Sequence, residues 1–269
     1  MRSEIQKRLL SGGDTPLVCV SLTGRSEEEI LAQAEGASLS EADMAEWRAD
    51  LYCGLFSPEG KALFSGTEED KEKLSEMLLK IRKHLGEKGL LFTVRTKKEG
   101  GEADCLPDIY AGIIEAAAEV KTADGKPAAD AADIELSSGG ILEKVLPCLA
   151  ESGIVSVLSC HDFQKTPSAD EIEETVRKMD SAGADVMKMA FMPEKEEDVD
   201  RIYYIADIIK NGLAERPYIL ISMGSLGERT RTDKVLGSIL TFGALSDEQA
   251  SAPGQISVSE LRAAIGSAD

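Results

Sequence analysis

The stretch Ile154-Val-Ser-Val-Leu-Ser-Cys-His-Asp-Phe163, continued by Gln164-Lys-Thr-Pro-Ser-Ala-Asp-Glu171 and ending in Gly183-Ala-Asp-Val-Met-Lys-Met-Ala-Phe191, decides the fold. Residues 154–159 and 184–189 are strand-length apolar runs, too apolar for a sheet with one face in water. Between them, Ser168 and Glu171 stand in capping-box spacing. Ile172, Thr175, Val176 and Met179 then form one stripe, and Gly183 stops it. This is a strand–helix–strand unit whose strands must lie parallel.

The same unit recurs along the chain. Apolar runs at residues 17–21, 43–49, 90–95, 132–136, 218–223 and 239–242 bring the strands to eight, and helical stripes separate them. Val199, Ile202, Ile205, Ala206 and Ile209 make one such stripe. No GxGxxG follows the first strand, which removes the usual dinucleotide-binding open sheet. Eight units in 269 residues fit an α/β protein folded as a single (β/α)8 TIM barrel, for which about 250 residues is typical. One domain over residues 1–269 is expected, with a polar segment around 246–256 as an active-site lid.

With 30 Lys+Arg against 49 Asp+Glu, the net charge is −19, which repels nucleic acid and anionic membranes alike. The five cysteines are widely spaced and never form CxxC, a pattern of reduced thiols and of neither a disulfide frame nor a zinc site. Residues 1–10 lack a signal-peptide core, and no window has the ~20 apolar residues of a membrane span. A cytoplasmic protein is expected.

In a barrel, alternate strand residues point inward and the chemistry gathers at the C-terminal strand ends. That parity places Glu46 and Arg48 on one inner face, with Trp47 turned out to the helices. It does the same for Thr93 with Arg95 and for Asp133 with Glu135, and it puts His161 just past the fifth strand and Lys188 on the sixth. Lys188 among Val186, Met187, Met189, Ala190 and Phe191 has two readings. Its stem is buried and its ammonium reaches water or pairs with Glu135, or it is a desolvated amine with a lowered pKa that condenses with a ketone. His161 is a general acid/base or a residue hydrogen-bonded to the turn before Pro167. His84 sits in a Lys/Glu-rich helix and is expected to be solvated. Cys160 projects opposite to His161, so a Cys–His pair is excluded. Gly224-Ser-Leu-Gly227 with Arg229 and Arg231 is an anion nest or a tight turn. Arg48, Arg95 and Arg231 together predict a cationic pocket inside an anionic protein, suited to a small, anionic, oxygen-rich molecule.

These residues and their motifs resemble the type I 3-dehydroquinate dehydratase family. The matching segments are Glu46-Trp-Arg-Ala-Asp50, Phe92-Thr-Val-Arg-Thr96, Glu99-Gly-Gly-Glu102, Asp133-Ile-Glu-Leu136 and Ser159-Cys-His-Asp-Phe163. The resemblance continues with Lys165-Thr-Pro167, the segment around Lys188, Ser222-Met-Gly224, Thr241-Phe-Gly243 and Ser251-Ala-Pro-Gly-Gln255. It implies a lyase that dehydrates 3-dehydroquinate to 3-dehydroshikimate in the shikimate pathway through a lysine Schiff base, without cofactor or metal. It implies Lys188 as imine former, His161 as acid/base and Glu99 as the carboxylate that orients it. It further implies Ser21, Glu46, Arg48, Arg95, Arg231, Ser251 and Gln255 as substrate-binding residues, and a homodimer. The run Thr232-Asp-Lys-Val-Leu-Gly237 is one residue shorter than the family spacing, which leaves Arg229 as the alternative to Arg231 for the substrate carboxylate. Two other functions share parts of this pattern, a Schiff-base aldolase acting on a sugar phosphate and a non-catalytic binding scaffold of the same fold. Little loss of stability is expected from Lys188→Ala, since no core volume goes with it.

Overall fold

The computed structural model describes residues 2–13, 15–245 and 254–266. Every apolar run of the sequence contributes a strand to it. The first half of the chain reads α1 Glu4–Ser11, β1 Leu17–Leu22, α2 Glu27–Leu39, β2 Met44–Arg48, α3 Glu68–Leu85, β3 Gly89–Thr93, α4 Pro107–Glu119 and β4 Ala131–Glu135. The second half reads α5 Leu142–Ser152, β5 Val155–Asp162, α6 Ala169–Ala182, β6 Val186–Phe191, α7 Glu196–Ile208, β7 Tyr218–Ser222, α8 Gly224–Gly227, β8 Leu240–Gly243 and α9 Val258–Ile265. The capping box of α6 forms as read, with Glu171 Oε2 accepting from the Ser168 N–H at 2.8 Å. Gly183 ends that helix at φ +81°.

All eight strands shift at one end or both from the boundaries of the apolar runs, most of all β5 and β6. β5 runs on to Asp162, and β6 starts at Val186 and reaches Phe191. Local composition does not set a strand's end; the partner does. Here pairing continues through His161 opposite Ala190 and Asp162 opposite Phe191, so His161 lies within β5 and not beyond it.

The strands form one parallel sheet in the order β7-β6-β5-β4-β3-β2-β1-β8, a TIM barrel. Inward residues such as Leu17, Met44, Leu91, Ala131, Val155, Val186, Ile219 and Leu240 pack on each other. Outward ones such as Val20, Trp47, Phe92, Ile134, Leu158 and Met187 pack under the helices. Trp47 meets Phe92 edge-on at 5.5 Å, as its parity requires.

Polar side chains staple the foot of the barrel at alternate strand pairs. Asp43 accepts from the Val18 N–H of β1 at 2.7 Å. Asp130 accepts from Leu90 of β3 at 2.9 Å and Asp185 from Ser156 of β5 at 2.9 Å. At the seam between β7 and β8, Ser238 takes this place, accepting from the Leu220 N–H at 3.0 Å, beside the bond from Ile239 N–H to the Tyr218 carbonyl. α1 plugs the same end. Leu9 enters the barrel interior, and the Gln6 amide donates to the carbonyls of Asp130 and Gly153 at 3.0 and 2.7 Å. Among the described residues, no helix is long and apolar enough to cross a membrane.

Candidate active site

With the foot sealed, the open end of the barrel holds a cavity of about 550 Å³, its mouth included. Glu46, Arg48, Arg95, Glu99, His161, Lys188, Arg231 and Gln255 all line it, with Phe163, Ala190, Ile221, Met223 and Phe242 as its apolar wall. The cationic pocket read from the sequence is therefore present, but carboxylates are woven through it.

Lys188 is 4% exposed and points inward from β6. Its Nζ donates to Asp133 Oδ2 at 3.0 Å, lies 3.5 Å from Glu46 Oε1 and sits 4.6 Å above the Phe242 ring. Its carboxylate partner is thus Asp133 and not Glu135. Glu135 is already engaged, accepting from the Thr96 N–H and hydroxyl at 2.7 and 2.6 Å and from Arg95 at 3.2 Å. Arg95, just past β3, also reaches Asp133 at 2.7 Å and donates to Ser159 Oγ at 2.9 Å. Burial opposes its charge, but Asp133, Glu135 and Glu99 outweigh that and hold the guanidinium above its ordinary range. For Asp133 burial is likewise outweighed, by Arg95 and Lys188, and the carboxyl stays below its ordinary range.

His161 Nδ1 lies 3.0 Å from Glu99 Oε2, and the same oxygen accepts the His161 backbone N–H at 3.2 Å. Burial, then the charges of Arg95 and Lys188, push the imidazole well below its usual value, so the ring is neutral at pH 7. A neutral ring that donates Nδ1–H to Glu99 leaves Nε2 as a base. Burial and the neighbouring Glu135 push Glu99 up to about 7, against Arg95 and a 2.6 Å hydrogen bond from the Ser137 hydroxyl. The Phe163 ring lies nearly parallel to the imidazole, with centroids 6.5 Å apart. Phe163 also covers Gly100, at φ +82°, where a Cβ would come within 2.3 Å of the ring.

The remaining predicted residues separate clearly. Glu46 is held by the hydroxyls of Ser21 at 3.0 Å and Thr93 at 2.9 Å, so Ser21 meets the site through Glu46, its register partner on β2. Arg48 is gripped at two points by Asp50, both at 2.8 Å. Arg231 is 3% exposed in the cavity wall and donates to the Phe242 carbonyl at 3.3 Å, and burial pushes it down to about 10. Arg229 is outside, pairing with Asp200 at 2.7 Å over the Tyr203 ring. Ser251 lies outside the described residues. Cys160 packs in the outer core, its thiol pushed up to about 12 chiefly by burial. His84 is exposed on α3. Among the described residues, no group of three His, Cys, Asp or Glu side chains could hold a metal.

Reading the sequence missed the roles of Asp133, Ser159, Thr93, Ser137 and Phe242. Parity had already turned Asp133 and Thr93 inward. Ser137 stands on the turn Leu136–Ile141, where no periodicity reports direction.

An inward lysine and a neutral imidazole on neighbouring strands of a parallel barrel, among arginines and carboxylates, define a class: barrel enzymes that transform a small oxygen-rich substrate at the C-terminal strand ends. The sequence model of the type I 3-dehydroquinase family matches residues 18–268, and the chain belongs to that family. Its reaction is the family's, dehydration of 3-dehydroquinate in the shikimate pathway. The 3-dehydroquinate dehydratase of Bacillus subtilis (strain 168) is 39% identical over 256 residues, 94% of this chain and 92% of that one. That of Enterococcus faecalis is 37% identical over 97% of this chain and 96% of its own. Among solved structures, the type I 3-dehydroquinate dehydratase of Clostridium difficile with covalently modified comenic acid superposes with a TM-score of 0.83 at 30% identity, covering 94% of this chain and 92% of that one.

Proposed function

We propose that Lys188 and His161 divide the dehydration between them. Lys188 Nζ attacks the substrate ketone, the carbonyl oxygen leaves as water, and a protonated imine remains. His161 Nε2 then removes the proton from the adjacent carbon, and the electron pair flows into the imine to give an enamine. The imidazolium returns its proton to the departing hydroxyl, a second water is expelled, and hydrolysis of the conjugated imine frees 3-dehydroshikimate and Lys188. Glu99 holds Nδ1–H throughout. Glu46, Arg48 and Arg95 face the ring hydroxyls, and Arg231 faces the substrate carboxylate.

The observation that carries this reading is the placement of Lys188 and His161 in one cavity, with Nδ1 of the ring already committed to Glu99. Support for Arg231 over Arg229 is that only Arg231 lines that cavity. We read the chain as one barrel domain; of the lid segment expected around 246–256, residues 246–253 lie outside the described residues, and Gln255 in the cavity wall supports the reading. A cytoplasmic homodimer completes the reading. Free thiols at all five cysteines suit a reducing compartment, and sedimentation equilibrium reads the dimer.

Sodium borohydride added with 3-dehydroquinate reduces the imine and fixes the ligand on the peptide containing Lys188. Lys188→Ala gives neither adduct nor turnover. A folded parent enzyme that yields no adduct would contradict the imine route. The aldolase reading predicts cleavage of a phosphorylated sugar instead, with no enone absorbance from 3-dehydroquinate.

A further inference from the structure

Asp50 has no place in the chemistry above, yet it is 1% exposed at the rim of the site. It stands on the turn Ala49–Leu51 that follows β2. Its two oxygens meet Arg48 Nε and Nη2 at 2.8 Å each, a fork-to-fork pair that fixes the plane of the guanidinium as well as its distance. Oδ2 has a second donor, the backbone N–H of Glu102 at 3.2 Å.

Glu102 belongs to the loop that carries Glu99. That loop is cross-tied by Lys97 N–H to the Ala103 carbonyl at 2.9 Å, Ala103 N–H to Arg95 at 3.1 Å and Gly101 N–H to Thr96 at 2.8 Å. Asp50 is therefore anchored by β3's loop while it grips a side chain of β2. The other carboxylate whose field acts on Arg48 is Glu46, and Glu46 is occupied by Ser21, Thr93 and Lys188.

We propose that Asp50 is the positioning residue for Arg48, holding its guanidinium in one orientation within the cavity and tying it to the loop that bears Glu99. This rests on the reading of Arg48 as a substrate contact. An arginine free to rotate must be ordered anew at each binding event, whereas a clamped one is already in place. The effect falls on substrate binding, because neither Lys188 nor His161 touches Asp50.

The test is a double-mutant cycle on KM and kcat, with active sites counted by the borohydride adduct. Asn at this position keeps one acceptor and turns the other atom into a donor facing a donor. Asp50→Asn raises KM about tenfold, with kcat within about twofold of the parent. In an Arg48→Ala background the same substitution changes KM by less than about twofold, because the residue it acts through is gone. Arg48→Lys keeps the charge but cannot be held at two points, and it reproduces the KM of Asp50→Asn even where the latter folds poorly. Parent-like KM in Asp50→Asn or Arg48→Lys overturns the proposal and leaves the assignment of Arg48 intact. An equal KM rise from Asp50→Asn with and without Arg48 also overturns it, since that is the signature of a purely structural residue. Parent-like KM in Arg48→Ala overturns both the proposal and the assignment beneath it.

Discussion

Glu99 and His161 are displaced from their ordinary titration in opposite directions, and the pH dependence of turnover follows from that. The proposed mechanism needs Glu99 as a carboxylate accepting Nδ1–H and His161 as a neutral ring. Glu99 takes up its proton as pH falls through about 7, and His161 takes up its own only well below its usual 6.5. kcat/KM therefore drops on the acid side in two steps, the first near pH 7. In Glu99→Gln the first step vanishes, the lower one remains, and the plateau falls roughly a hundredfold, as expected when the group that fixes an acid–base histidine is lost. Following enone absorbance from about pH 5 to 9 measures this. An unchanged acid limb in that variant would remove Glu99 from the role. The structure also revises the cost of losing Lys188. Its ammonium neutralises Asp133 and Glu46 inside the barrel, so Lys188→Ala strands two carboxylates. Arg95, still on Asp133, softens the loss toward the lower end of the about 3–5 kcal/mol typical of a broken buried pair.

The loop after β3 shows how one element's shape sets a side chain's aim. Gly100 takes φ +82°, and a Cβ there would run into the Phe163 ring at 2.3 Å. Gly100→Ala must shift either the ring or the loop, and Glu99 is the preceding residue. A stability loss of about 1–3 kcal/mol and at least a tenfold fall in kcat/KM are expected, read by urea melts and steady-state kinetics. Gly125→Ala is the control. It has nearly the same φ, +79°, with nothing within 4 Å of the added methyl, so it costs about 1 kcal/mol and leaves kcat unchanged. The contrast marks how far the sequence could be read. Period-two parity turned Lys188, His161, Glu46, Arg95 and Asp133 inward because strand geometry allows only two directions. Turns have no such rule. The Ser137 hydroxyl on Glu99 and the link from Asp50 to Glu102 join segments whose proximity no local pattern encodes. The same limit explains β5 and β6, whose ends were misjudged because each is set by the other.

At the scale of the molecule, eight strand–helix units implied closure, but not how the ring is locked. Seven junctions are parallel ladders, and the eighth, between β7 and β8, relies on Ser238 and one backbone bond. Ser238→Ala leaves the Leu220 N–H in β7 without its acceptor, at a cost of about 1–3 kcal/mol. The urea midpoint falls and the Leu220 amide exchanges faster, while kcat stays at the parent value because Ser238 and the outward-packed Leu220 do not line the cavity. An unaltered midpoint would mean that the seam does not depend on this hydroxyl.

The plug at the foot has a bearing on how the chain is made. α1 precedes every strand in the chain, yet the carbonyls that seat Gln6 belong to residues 124 and 147 positions downstream. Until β5 has been translated, Gln6 lacks the Gly153 carbonyl and Leu9 lacks the closed barrel interior that it enters. The base of the barrel is therefore sealed late by a helix that comes before all its strands, and a nascent chain stalled short of Gly153 is left with the apolar Leu9 face of that helix for chaperones to shield.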